Sequence, residues 1–510
     1  MQLTSRRHFL GLVGLGAAAV SLSACSAGAP ASDSSASGSA GGSSTATLKV
    51  GFAAIPQSLD FTTTAGAAII QALVGNVYEG LVQLADDGSI KPLLAKSWKI
   101  SDDGLSYDFT LQEGVTFHNG TTFDAEVVKF SLERIPKWTA NTPGNLAAID
   151  HVDVVSATEA KVVLKQADFS ALFWLAGPLG AMFDKGTIST LSTKPVGTGP
   201  FTFGSYARNS KMILNRNDSY WGTKALVRTA EFDYFADATA AANALRSGGV
   251  DALYQAEALD QVASFQSDSR FEVTKGTTQG VVVMSMNSMN GLFSNPKLRQ
   301  AVMYGVDRKA VLAAAASGYG TVLGGPAVPT DPYFVDYAGK YPFDAAKAKQ
   351  LVAESGVTDL NVNFTVPVRP YAQAVAQVAQ QQLNAIGFTV KLVPQEFPAV
   401  WLDKTLTQHQ FDLTVTNHVE PRSVTNYANP KYYWSYDNAA VQKLFADAAA
   451  AKDDAAFVDD TKKAVAQIVT DAPGNWLYNP PNIVITRKGV SGFTKNYMGV
   501  GINLAGVSAS

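Results

Sequence analysis

His118, His151, His409 and His418 are the histidines beyond residue 25, and Cys25 is the only cysteine of the chain. Imidazoles at the right spacing bind zinc or relay protons, but none of these stands in a His-Glu-x-x-His arrangement. No Gly-x-Ser-x-Gly elbow is present to raise a serine nucleophile. Ser294 and Lys297 share the Ser-x-x-Lys spacing of an acylating serine. Asn295 and Pro296 lie between them, and that pair reads as a helix cap with proline at the first position. Gly197-Thr198-Gly199 lacks the Gly-Lys-Ser/Thr ending that gives a phosphate loop its chemistry. One lone cysteine excludes an internal disulfide and a cysteine-rich metal site. The expectation is a binder with no catalytic residue, no metal site and no cofactor.

The front of the chain carries other chemistry. Ser5-Arg6-Arg7-His8-Phe9-Leu10 is a twin-arginine export motif, and Leu10 to Leu22 is an apolar run too short to span a bilayer comfortably. Leu22-Ser23-Ala24-Cys25 resembles a lipobox, in which the cysteine is acylated and becomes the first residue. Residues 26–47 are rich in Ala, Ser and Gly and cannot bury a core. These features predict a leader over residues 1–24 and a tether over 25–47. The protein is then expected outside the cytoplasm, lipid-anchored to the cell membrane through Cys25.

The 510 residues suggest two or three domains. Lys+Arg 40 against Asp+Glu 43 gives a net charge of −3, so no basic surplus exists to hold nucleic acid.

The clearest structural stretch runs from Leu94 to Ile135. Trp98 with Ile100, then Tyr107, Phe109 and Leu111, alternate with polar residues, the period of half-buried strands. Ser106, Asp108 and Thr110 are predicted to point away, and Val115 with Phe117 to form a third strand of a meander. Asn119-Gly120 marks a tight turn, and Asp124 caps a helix with Phe123 and Val128 as its staple. Ala67 to Leu81 is helical in pattern. Helices are also predicted from Pro296, from Asp344 to Gly356, and over Tyr371 to Ile386, with strands at Leu48 to Phe52 and Phe388 to Leu392. Alternating helices and strands point to an α/β fold.

The wording of Leu94 to Ile135 closely resembles the signature of family 5 extracellular solute-binding proteins, the peptide- and nickel-type receptors of ABC importers. Further matches are Val77-Tyr78-Glu79-Gly80-Leu81, Gly197-Thr198-Gly199-Pro200-Phe201, Tyr220-Trp221-Gly222, the run from Ala244 to Asp251, and Leu298-Arg299-Gln300-Ala301. The resemblance covers residues 48 to about 500. It implies a two-lobed periplasmic-binding-protein-like fold, of the type II, large peptide-receptor class, with an extra subdomain on the first lobe. Lobe I is expected over 48–280 plus 484–510, with the subdomain at 76–190, and lobe II over 281–483. The crossings fall near Val281 to Asn287 and Asn482 to Thr486.

The resemblance also implies a ligand cleft. Val366-Pro367-Val368-Arg369-Pro370-Tyr371 is similar to the dipeptide-receptor stretch whose arginine takes a ligand carboxylate. Peptide members hold the ligand amine with an Asp beyond a Gly-Trp pair. Here that pair is Asn417-His418, and Glu420 is the nearest acid. Ser58 stands in a loop similar to one that faces the ligand, and Trp401 is an aromatic wall candidate. The expected ligand set is Arg369, Glu420, His418, Asn417, Ser58 and Trp401.

The reading is therefore the solute-binding subunit of an ABC importer, a monomer that meets permease and ATPase subunits and carries a short peptide or similar solute. An opine, an oligosaccharide or a nickel chelate are alternatives within the family. Outside it stand a surface hydrolase, which needs a nucleophile–base pair in the cleft, and a structural lipoprotein, which needs repeats or a large apolar patch. No internal repeat is found.

Overall fold

The protein is described by a computed structural model over residues 45–53, 55–288 and 291–509. The twin-arginine motif, Cys25 and most of the tether lie outside the described residues.

The alternating stretch folds as its period requires. Strands Ala95–Ile100 and Ser106–Leu111 pair antiparallel, with Trp98 opposite Phe109 and Ile100 opposite Tyr107. Tyr107, Phe109 and Leu111 are buried, while Asp108 and Thr110 are exposed. Ser106 differs from expectation and is buried. It meets Ser101, which accepts from its N–H at 2.9 Å and donates back to its carbonyl at 3.0 Å. Val115 and Phe117 do not form the third strand. Asn119-Gly120 folds that segment back on itself so tightly, with Phe117 N–H on the Thr121 carbonyl, that only an isolated Thr116–Thr122 bridge results. The neighbour of Ser106–Leu111 is instead Glu159–Leu164, which also pairs with Ile149–Ser156 to complete a four-stranded sheet. Asp124 caps the helix Ala125–Glu133 by accepting from the Val127 N–H at 3.2 Å.

The segment Ala67 to Leu81 is not one helix. Helix Ala67–Leu73 stops where Gly75 turns left-handed at φ 79°, and Val74 and Tyr78 then bridge. The chain goes on to Glu79, a buried carboxylate. It accepts from Thr198 Oγ1 at 2.8 Å, Tyr220 Oη at 2.5 Å and Trp221 Nε1 at 3.1 Å. Burial pushes its carboxyl up to about 7, although those three donors work in the opposite direction. Gly197 and Gly199 lie so close to residues 76 and 77 that a Cβ would stand 1.9 Å and 2.3 Å from their carbonyl oxygens. The glycine-rich motif is thus a packing device.

Two large sheets organise the rest. The first has seven strands in the order Phe271–Thr277, Pro481–Arg487, Ala252–Leu253, Thr47–Phe52, Thr229–Tyr234, Lys211–Arg216, Phe201–Ala207. The second has six, in the order Thr321–Val322, Gly474–Asn479, Val281–Met286, Leu413–His418, Asn361–Pro367, Thr389–Gln395. Val281–Met286 is buried throughout and feeds alternate residues to two apolar clusters, one on each face of its sheet. Helices Pro296–Gly305 and Pro370–Ala385 cover this sheet, begun by Asn295 and Arg369 as N-caps. Asp344 caps Ala345–Glu354 by accepting from Lys347 N–H at 2.8 Å.

Two short crossings join the sheets. Residues 278–280 link Phe271–Thr277 to Val281–Met286, and Pro480 links Gly474–Asn479 to Pro481–Arg487. Residues 481–483, expected in the second lobe, pair with Thr277, Gly276 and Lys275 inside the first sheet. The crossings are tied to each other. Thr278 Oγ1 donates to the Pro480 carbonyl at 3.0 Å, and the buried Asn479 amide donates to the Thr278 and Gly280 carbonyls at 2.9 Å and 2.7 Å. Backbone groups left over where a chain leaves its sheet need such partners.

Candidate functional site

Within the second sheet, Asn361–Pro367 runs parallel to both Thr389–Gln395 and Leu413–His418. Parallel strands bring their carboxyl ends to one edge, and in open α/β sheets ligands bind outside that edge. The residues just beyond the three ends are Val368-Arg369, Glu396-Phe397 and Val419-Glu420. His418 pairs with Val281, the first residue after a crossing. The edge therefore faces the junction of the two lobes.

Four of the expected site residues meet at this edge. Arg369 is exposed, and its guanidinium carbon lies 4.8 Å from the centre of the Phe397 ring. Asn417 is half-buried. Its backbone N–H donates to Tyr371 Oη at 2.9 Å, and its Oδ1 is without a hydrogen-bond partner among the described residues. His418 is buried, 5.7 Å from the Tyr433 ring in a stacked arrangement and 5.5 Å from Trp434 edge-on. Its Nε2 meets Tyr433 Oη at 2.8 Å, and Tyr433 Oη meets Ser285 Oγ at 2.8 Å. Its Nδ1 lies 3.5 Å from Glu420 Oε2. The Glu420 side chain is 54 % exposed. Crowding by neighbours acts to raise its carboxyl, but the His418 contact outweighs that and holds it below the usual carboxylate value.

The other two stand apart. Trp401 is buried behind the edge, where its Nε1 donates to Thr414 Oγ1 at 3.1 Å and its ring packs on Phe397 and Tyr433. Ser58 belongs to the first lobe, where its Oγ accepts from the Asp60 N–H at 3.1 Å within a turn. No hydrogen bond or ion pair joins it to the second-lobe residues among those described.

Several contributors carried no sequence signal. Glu257 of the first lobe has its carboxyl raised by burial, and the charge of Arg369 opposes that rise, so the two feel each other across the junction. Val368 and Val419 are 52 % and 61 % exposed, an apolar pair beside the two charges. Arg422 has φ 56° and is 8 % exposed. Its guanidinium carbon lies 3.9 Å from the Phe173 ring of the first lobe and 5.0 Å from the Phe457 ring of the second. Beside it, the Phe169 N–H donates to the Ala449 carbonyl at 2.9 Å, again between lobes. A separate cavity of about 280 Å³ lies in the first lobe beside Glu79, Tyr254 and Tyr497, and includes neither Arg369 nor Glu420. Among the described residues no cluster of His, Cys, Asp and Glu is arranged to hold a metal ion. No described helix is long and apolar enough to cross a membrane.

The edge thus carries an exposed arginine, an open carboxylate and two exposed valines. Residues 89–443 match the family described as bacterial extracellular solute-binding proteins, family 5 Middle. A glutathione-binding protein of Salmonella paratyphi A is 29% identical over 359 residues, which is 66% of this chain and 68% of that protein. The heme-binding protein A of Haemophilus influenzae is 30% identical over 372 residues, 67% of this chain and 68% of that protein. The structure of HbpA2 from Haemophilus parasuis superimposes with a TM-score of 0.82 at 24% identity, covering 91% of this chain and all of that one.

Proposed function

Because the chain belongs to the bacterial extracellular solute-binding proteins of family 5, we propose that it captures a short peptide or peptide-like zwitterion and delivers it to an ABC permease. The observation that carries this reading is the pair of opposite charges, Arg369 and Glu420, at the carboxyl edge beside the lobe crossings. A guanidinium fork suits a carboxylate, and a carboxylate suits an amine. Asn417 lies at the same edge with His418 packed behind it, Trp401 is packed deeper still as support, and Ser58 is the candidate from the first lobe. The glutathione-binding relative supports the choice, since glutathione carries both an amine and carboxylates. An opine or nickel chelate would use the same arginine.

Lobe II then runs from the first crossing to Pro480, with the extra subdomain on lobe I. The twin-arginine motif and Cys25 fit export in folded form and a lipid anchor outside the cytoplasmic membrane, with the protein working as a monomer. Two acyl chains or more are needed for stable anchoring.

Calorimetry of the purified protein against a small peptide library, each peptide with free and with capped ends, tests the reading. Free peptides should bind far more tightly, because losing one partner of a charge pair buried on closure costs about 2–5 kcal/mol. That is roughly 30- to several-thousand-fold in affinity. Equal binding of free and capped peptides overturns it in favour of a neutral solute such as a sugar.

A further inference from the structure

His418 occupies an unusual place, sealed behind the edge with both ring nitrogens engaged. Ser285 lies on the central strand Val281–Met286, and Tyr433 on the segment that follows the turn of helix Ser423–Ala428. Ser285 Oγ, Tyr433 Oη and His418 Nε2 form a chain with 2.8 Å at each step, and Nδ1 faces Glu420 Oε2 at 3.5 Å. Two proton arrangements fit this chain for a neutral imidazole. In one, Nε2–H donates to Tyr433 and the bare lone pair of Nδ1 faces the lone pairs of a carboxylate, which repels. In the other, Ser285 donates to Tyr433, Tyr433 donates to Nε2, and Nδ1 carries the proton toward Glu420. The second leaves no two lone pairs facing each other and wins. An added proton on Nε2 would reverse the Tyr433–Ser285 direction and leave the Nδ1–H in place. In either state the carboxylate meets an N–H.

The ring has little freedom to do anything else. Tyr433 stacks on it, Trp434 meets it edge-on, and Tyr432 lies 6.2 Å away. The titratable groups seen to face it among the described residues are Glu420 at the end of its own strand, and Tyr432 and Tyr433 from the packed segment.

We propose that His418 is a positioning residue that aims the Glu420 carboxylate into the junction of the lobes, so that the protein selects a solute with a cationic nitrogen. The selection of a cation rests on the reading of Glu420 as a cleft residue, but the coupling of His418 to Glu420 does not need a solute. The depressed Glu420 carboxyl agrees with it.

The test uses two replacements that imitate the two ring nitrogens. An asparagine amide stands near the position of Nδ1 and can face Glu420, whereas a glutamine amide stands near Nε2 and can face Tyr433. Carbon-13 NMR of the Glu420 carboxyl through a pH titration, without solute, reads the coupling in the wild type, His418→Gln, His418→Asn and Tyr433→Phe proteins. The midpoint should lie below the usual carboxylate value in the wild type and return to it in His418→Gln. It should stay low in His418→Asn and rise slightly in Tyr433→Phe, which keeps the packing. The same midpoint in all four overturns the proposal. In parallel, Ala-Leu is titrated into the wild type, His418→Gln and Glu420→Gln, with affinity expected to drop roughly 10- to 100-fold in both variants, the scale of a lost charged hydrogen bond. If Glu420→Gln binds Ala-Leu like the wild type, or if the wild type does not bind it, while His418→Gln still shifts the midpoint, the positioning stands and the cleft reading fails. If Glu420→Gln loses binding and His418→Gln changes neither midpoint nor affinity, the cleft reading stands and the positioning fails.

Discussion

Glu79 and Glu420 are the same side chain put to opposite uses in the two lobes. Glu79 is 3% exposed and surrounded by neutral donors from Thr198, Tyr220 and Trp221. With no cation beside it among the described residues, burial dominates and its carboxyl rises to about 7. Glu420 is wetted on one side and backed by an imidazole, and its carboxyl is held low. A carboxylate meant to meet a solute must be ionised and open. One that ties segments together needs only to be satisfied. On the proposed reading, function lies at the second-lobe edge and architecture in the first-lobe knot.

The largest expected effect breaks the knot. Glu79→Ala strands the buried Thr198 hydroxyl and the half-buried Tyr220 and Trp221 donors at once, and with about 1–3 kcal/mol for each buried unsatisfied group, stability should fall by about 3 kcal/mol. Thermal and denaturant unfolding measure this directly. A near-neutral result would mean that the knot is not structural.

The pH dependence follows from the same carboxyl. Because its folded value lies above the unfolded 4.5, the folded state binds a proton that the unfolded state has already released between about pH 4.5 and 7. The stability gained from the neutral carboxyl is present at acid pH and is lost as pH rises through that window. The loss is about 3 kcal/mol in all, and this contribution is flat above pH 7. Glu79→Gln, neutral at every pH, should remove this part of the slope. Glu420 contributes with the opposite sign, since a depressed carboxyl favours folding above its unfolded value and loses that benefit as pH falls through the folded one.

Much of the architecture was legible because its signals are local. The alternation of Tyr107, Phe109 and Leu111 and the Asp124, Asn295 and Asp344 caps each act within a few residues. The third strand of the meander was misplaced because pairing is settled by distant chain. Val115 and Phe117 are buried as their pattern requires, yet Glu159–Leu164 takes the sheet position. At the edge, the place of Arg369 just ahead of a helix was legible from its neighbours in sequence. The Ser285–Tyr433–His418 chain was not, because it joins positions 148 residues apart through side chains with several possible partners. Glu257 escaped for the same reason, since its relation to Arg369 exists only once the two lobes face each other.

The contrast between the two carboxylates is tested most directly by measuring stability and solute affinity together in Glu420→Ala. Affinity for a solute with a free amine should drop by about 2–5 kcal/mol, while unfolding without solute should shift by less than about 0.5 kcal/mol, as at other open surface positions. A variant that binds such a solute as tightly as the wild type, or that unfolds as readily as Glu79→Ala, would contradict the account.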